Sequence, residues 1–303
     1  MNAPARDFVG YGRNRPQFEW PGGRRVAVSL VVNYEEGGEN CVLDGDSHSE
    51  VLNSDVAGAA PRPGRRNLVV ESHYEYGSRV AHWRILDLLR ECRVPATYFA
   101  VSGALEKHPD AARAIVEAGH EVVSHGARWI DYDGMPEATE REHMVRSLDA
   151  LERLCGQRPV GWYTGRVSAN TRALAVEQGL LYDSDAYNDD LPYWTDVGGR
   201  PHLVLPYSFD CNDMRFASAP GFNTPDDFAG HLRRTLACLR REAARSAPAM
   251  MSIGLHLRLA GRPGRTEALR EFLMDASANC PDVWFCRRRD IAEFWREKFP
   301  AGR

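Results

Sequence analysis

Apolar residues fall in short, dense runs, separated by polar stretches in which apolar positions recur every three or four residues. The first run, Val26–Val32, is made of β-branched residues, alanine, serine and leucine, the composition of a strand buried on both faces. Similar runs are "ATYFAVSG" (Ala96–Gly103), "EVVSHG", "VGWYTG", "LLYDSD", "HLVLPYS" (His202–Ser208), "MMSIGLH" (Met250–His256) and "VWFC". Between them the spacing predicts a helix over His108–His120, stopped by Gly119. Further helices are predicted over Pro136–Cys155, Asn170–Gln178, Asp226–Arg245, Thr266–Ala278 and Asp290–Lys298. Strands alternating with helices this regularly form parallel βα units. No GxGxxG or GxxxxGK[ST] follows any strand, so a nucleotide-binding open sheet has no support. The pattern predicts an α/β fold, a distorted βα barrel. One stretch breaks the rhythm. Residues 39–66 are polar and contain glycine and proline, and loops of that length in compact domains are usually functional or disordered. With no internal repeat and no low-complexity linker, residues 1–303 read as one domain.

Composition changes the picture only by exclusion. At 43% hydrophobic and 26% charged the chain is of ordinary globular makeup, and a formal net charge of −4 gives no reason to expect nucleic acid or an anionic membrane as partner. No apolar stretch approaches the roughly eighteen residues of a membrane span. The opening "MNAPARDFVGYGRNRPQFEWPGGRR" lacks the apolar segment and cleavage pattern of a signal peptide. The seven cysteines are odd in number and never form a CxxC pair. They read as reduced thiols of a cytoplasmic protein, not as a disulfide framework or a zinc cage.

In βα barrels the loops after the strands' C-terminal ends build the active site. Here those ends carry Asn33, Tyr34, Glu35 and Glu36; Ser124 and His125; Tyr163 and Arg166; Asp183 and Asp185; and His256 and Arg258. A single histidine at a strand end is commonly structural, but five strands ending in ionisable groups at one edge are hard to explain by packing. The types suggest hydrolysis. A carboxylate takes a proton from water, an imidazole returns one to a leaving nitrogen, and an arginine orients the base. No GxSxG elbow indicates a serine nucleophile.

These residues in this order resemble the polysaccharide deacetylase (NodB-homology) family, which implies a distorted (β/α)7-type barrel that hydrolyses amide C–N bonds. The resemblance puts Glu35 at the place of the family's catalytic base and Glu36 at that of a metal ligand. It puts His125 at the first of two ligand histidines and Trp129, in "SHGARWIDY", at the second. Arg166 matches the family's arginine, Asp185 the acid of a later motif, and His256 the histidine that protonates the leaving amine. Trp129 cannot coordinate, and a catalytic zinc normally has three protein ligands. No cofactor is therefore expected; were a metal present, Glu36 and His125 would hold it. "NYEEGGE", "ESHYEYGSR", "GWYTGR", "YDSDAYNDDLPYW", "NDMRF" and "SIGLHLRLAGRP" resemble one branch more closely, the cofactor-independent allantoinases, with cyclic imide hydrolases as near relatives.

That resemblance implies hydrolysis of a small cyclic ureide, allantoin to allantoate, by a homo-oligomer, a tetramer. Hydrolysis of other cyclic imides or hydantoins, de-N-acetylation of a polysaccharide, and mere binding of a ureide stay open as alternatives. Glu35, His256, Arg166 and Asp185 are the expected catalytic residues. Glu36, His125, Trp129, Tyr76, Tyr163 and Asn33 are the expected contacts with substrate, Trp129 as a wall and Tyr76 on a lid. Without zinc to lower the pKa of water from about 16 to about 7, Glu35 is expected to be buried beside another acid with its pKa raised. Arg166 with backbone N–H groups is expected to stabilise the oxyanion.

Overall fold

The computed structural model describes residues 6–302, so residues 1–5 of the stretch read for a leader lie outside it. Nine strands form one sheet, in the order β6-β7-β5-β4-β3-β2-β1-β8, with β9 also paired to β1. They are β1 (Val26–Tyr34), β2 (Ala96–Ala100), β3 (Glu121–Ser124), β4 (Gly161–Trp162), β5 (Tyr182–Asp183), β6 (Tyr193–Val197), β7 (Arg200–Val204), β8 (Ala249–His256) and β9 (Val283–Phe285). All pairings are parallel except β6–β7. Every residue of β1 and of β8 is buried, as their unbroken apolar runs require of strands covered on both faces. This is a mixed, largely parallel α/β sheet with helices around it, the fold class that the alternation of strands and helices predicts.

Register places the strand ends. Asn33 lies opposite His256, and Tyr34, Ala100, Ser124, Trp162 and Asp183 follow one another across β1 to β5. Residues just beyond those positions, Glu35, His125 and Tyr163, therefore leave the sheet along one edge.

Beyond the end of β7, a buried arginine ties that chain segment to β5 and β8. Arg288 donates to Ser184 Oγ (2.9 Å), Ser252 Oγ (2.8 Å) and the carbonyls of Leu205 and Pro206. Its ring neighbours are Phe99 and Tyr207. Among the described residues no carboxylate pairs with it; neutral acceptors from three segments satisfy the charge, which is how a buried cation is tolerated.

Two stretches differ from their sequence reading. "ESHYEYGSR", expected as a lid ahead of a helix, is itself helical: Leu68–Tyr76 runs through a π-helical turn, Gly77–Ala81, into His82–Cys92. Such turns often mark functional sites, and this one fits Glu36 against Gly77, where a Cβ would come within 2.5 Å of Glu36 Oε1. "NDDLPYW", where the sequence pattern predicts no strand, enters β6, which pairs with β7 in a hairpin around Gly198 and Gly199, both at positive φ. No helix among the described residues is long and apolar enough to cross a membrane.

Candidate active site

Glu35 and Glu36 end a buried strand, and both side chains are themselves buried. Two adjacent carboxylates out of water demand cations, and Arg258, fully buried two residues after the end of β8, supplies one. Its Nη2 donates to Glu35 Oε2 (2.7 Å) and its Nη1 to Glu36 Oε1 (3.1 Å). Nε donates to the carbonyl of Asn53 (2.8 Å), and the guanidinium lies 4.0 Å from the Tyr74 ring centroid and 5.3 Å from that of Trp129. Asn53 has φ of 47°, left-handed space that asparagine tolerates better than most residues. The long 39–66 segment is thus part of the site: it delivers Asn53 and Leu52 to the cavity and pairs Glu50 with Arg166.

The other oxygen of Glu35 faces two imidazoles. His125 Nε2 is 3.3 Å and His256 Nε2 3.6 Å from Glu35 Oε1. His256 is oriented by Asp213, whose Oδ1 is 2.7 Å from His256 Nδ1 and whose Oδ2 accepts from the backbone N–H groups of His256 and Ala260. A backbone-anchored carboxylate on Nδ1 leaves Nε2 as the nitrogen turned to Glu35.

Electrostatics follow. Burial pushes Glu35 up, but Arg258 first, then His256 and His125, outweigh it and hold the carboxyl well below the usual range. The expected rise is therefore corrected: Glu35 does lie beside another acid, yet Arg258 stands between them. Glu36 takes the upward shift instead, from burial, with Glu35 adding to it against Arg258. Burial pulls the His256 imidazole down, but Glu35 and Asp213 lift it above its ordinary value.

A cavity of about 190 Å³ opens onto Glu35, His125 and His256. Asn33, Trp129, Tyr163, Arg166, Thr164, Tyr207 and Asn212 also line it. Asn33 donates to Tyr207 Oη and the Leu255 carbonyl, and Tyr163 stacks on Phe99. Thr164 Oγ1 and His125 Nδ1 are buried without a hydrogen-bond partner among the described residues. Buried polar atoms normally have partners, so a hydroxyl left over at a cavity wall suits a ligand. Thr164→Val should cost the hydrogen bond alone, about 0.5–1.5 kcal/mol, seen as a several-fold fall in kcat/KM; an unchanged value would remove Thr164 from the binding surface.

Three expected site residues sit elsewhere. Asp185 does not line the cavity; its carboxylate accepts from the N–H groups of Thr164 and Gly165, from behind the loop that does. Burial, with Asp183 adding, pushes it up to about 7. Tyr76 is also outside, its ring under the Arg262 guanidinium at 3.8 Å and its hydroxyl bonded to Arg84. Glu36 lies behind Arg258. Arg166 lines the cavity but stacks on Trp129 at 4.1 Å, so the arginine on the base is Arg258. Sequence reasoning assigned no role to Arg258 or Asp213, although "SIGLHLR" and "NDMRF" both stood out.

The donor set does not fit a metal. Trp129 offers no ligand atom, Arg258 already bridges the two glutamates, and Glu36 accepts three N–H groups, from Arg258 Nη1, Arg258 N and Glu35 N. A divalent ion there would meet a fixed positive charge.

The polysaccharide deacetylase family profile matches residues 65–183. A Schizosaccharomyces pombe protein carried under a polysaccharide deacetylase name is 43% identical over 97% of this chain and 98% of its own length. Among solved structures, PuuE allantoinase superposes with a TM-score of 0.95 at 52% identity, over 99% of both chains. A Pseudomonas aeruginosa protein described as a probable polysaccharide deacetylase gives a TM-score of 0.94 at 52% identity, over 97% of this chain and 99% of that one.

Proposed function

Because the chain belongs to the polysaccharide deacetylase family, we propose that it hydrolyses the C–N bond of a small cyclic ureide, opening allantoin to allantoate. The observation that carries this reading is the cavity. At about 190 Å³ it falls below the ~300–1,000 Å³ usual for drug-sized ligands. Its walls carry the amides of Asn33 and Asn212 and the hydroxyls of Thr164 and Tyr207, suited to the carbonyls and N–H groups of a ureide ring. The 52% identity to an allantoinase supports the same substrate. A hydantoin or cyclic imide ring would meet the same groups and is the second reading.

In this mechanism water attacks the ring carbonyl while Glu35 accepts its proton. The C–N bond breaks as His256 Nε2–H gives a proton to the leaving nitrogen. Asp213 accepts from His256 Nδ1–H and so stabilises the imidazolium that carries the Nε2 proton, and His125 and Arg258 fix the two oxygens of Glu35. Thr164, Arg166 and the cavity amides are the donors available to the developing oxyanion. Asp185 acts as a positioning residue, through the Thr164–Gly165 turn. A cytoplasmic homo-oligomer, a tetramer with residues 1–303 as one domain per subunit, belongs to the same reading.

The reactive form needs Glu35 ionised and His256 protonated. Glu35 is held low, so acid should not remove the base until well below pH 4.5. His256 is held high, so activity should persist past 6.5 and fall on the alkaline side. A kcat/KM profile that only rises with pH would show His256 acting unprotonated. The function itself is tested by a panel of allantoin, hydantoin, succinimide and a chitin oligomer. Allantoin should be turned over fastest; release of acetate from the oligomer with no ring opening would overturn the proposal.

A further inference from the structure

Away from the reaction cavity, one more set of side chains converges. Among the described residues, Asp210, Cys211 and His231 are the group whose ligand atoms all lie within 4.8 Å of one another. Asp210 Oδ2 is 3.3 Å from His231 Nε2 and 3.8 Å from Cys211 Sγ. Bonds of about 2.0 Å to oxygen and nitrogen and about 2.3 Å to sulfur put tetrahedral ligand atoms roughly 3.3–3.6 Å apart. These separations are already close to that spacing.

From this geometry we infer that Asp210, Cys211 and His231 form a binding site for a divalent cation of the zinc class. Access suits it: the Asp210 and His231 side chains are 63% and 37% exposed, while Cys211 is buried beneath them. An ion arriving from solvent would meet carboxylate and imidazole first and sulfur as the floor. Thiolate and imidazole select zinc-like ions over magnesium or calcium. One carboxylate and one thiolate also balance a double positive charge. Asp210 is already aimed, because Ser208 Oγ donates to its other oxygen (2.5 Å) and leaves Oδ2 turned to His231.

The placement gives the site a consequence. None of the three lines the reaction cavity, but their neighbours Phe209 and Asn212 do, and Asp213 orients His256. His231 belongs to the helix Pro225–Ala243. A bound ion would tie that helix to the segment carrying Phe209, Asn212 and Asp213, bracing the cavity wall without entering the chemistry. Binding must displace the thiol proton. Metal binding releases that proton to solvent, so affinity should rise with pH.

Cobalt titration of the full chain tests this. One equivalent of Co²⁺ should bind with a thiolate-to-cobalt charge-transfer band that zinc abolishes, and the band should be missing in Cys211→Ser. Because Cys211 is buried, His231→Gln at the surface is the second variant; it should weaken cobalt by about tenfold or more and lose the rise in Tm that zinc gives the parent. A parent without the band, or a band that survives unchanged in either variant, overturns the site.

Discussion

Glu35→Gln should lower kcat on allantoin by about 10²–10⁴-fold with little change in KM. General acid–base groups contribute that much to the chemical step, and a loss confined to kcat marks an interaction made in the transition state. The amide keeps the size of the carboxyl and can still accept from Arg258 through its oxygen, so the fold should tolerate it. What it cannot do is take a proton from water. His256→Ala should act on the same step. The two losses should not add fully, since His256 Nε2 lies 3.6 Å from Glu35 Oε1 and each shapes the other's charge. Steady-state kinetics decides: near-normal kcat for Glu35→Gln would take Glu35 out of the role of base.

The second large effect belongs to Arg258. Removing one partner of a buried ion pair is strongly destabilising, about 3–5 kcal/mol, because the remaining charge is left uncompensated. Arg258 serves two buried carboxylates at once. Arg258→Met should therefore destabilise by at least that order at neutral pH. The loss should also depend on pH with a definite sign. In the parent, Glu35 is held low, so its contribution is present above 4.5 and lost as pH falls through its lowered folded value. In the variant that pull is gone and burial raises Glu36 further, while Glu35 keeps only the two imidazoles, so stability should fall as pH rises from about 4.5 towards neutrality. Urea unfolding at pH 5 and pH 7.5 measures it. A variant as stable as the parent at pH 7.5 would mean that Arg258 does not carry the balance. Adding Glu36→Gln should restore part of the stability, since only one carboxylate would then need compensation.

Arg258 also marks where the sequence stopped being informative. The buried run Val26–Val32 and the abrupt "NYEEGG" after it announced a core strand with two carboxylates at its tip, and the structure buries both of them there. His125, Tyr163 and His256 were legible for the same reason, each directly following or closing an apolar run. Arg258 lies beyond the end of β8, in the short helix Leu257–Ala260, where strand alternation no longer says which way a side chain points. Asp213 reaches His256 from 43 residues upstream, and no periodicity reports such a pair. Asp185 fell the other way. It ends a strand run as the others do, but the turn after β4 lies between it and the cavity, and its oxygens take the N–H groups of that turn. Strand β6 had a usable signal, aromatic and β-branched residues before "VGGR", obscured by the two aspartates and proline that precede it.

In the proposed mechanism a fixed guanidinium, not a metal ion, sits between the two glutamates and holds the base ready. Allantoin turnover before and after exhaustive dialysis against EDTA, with zinc then added back, tests it most directly. The expected result is unchanged kcat throughout, with zinc restoring nothing because nothing was lost. Loss of activity on chelation and its recovery with zinc, in the parent and in His231→Gln alike, would contradict the claim.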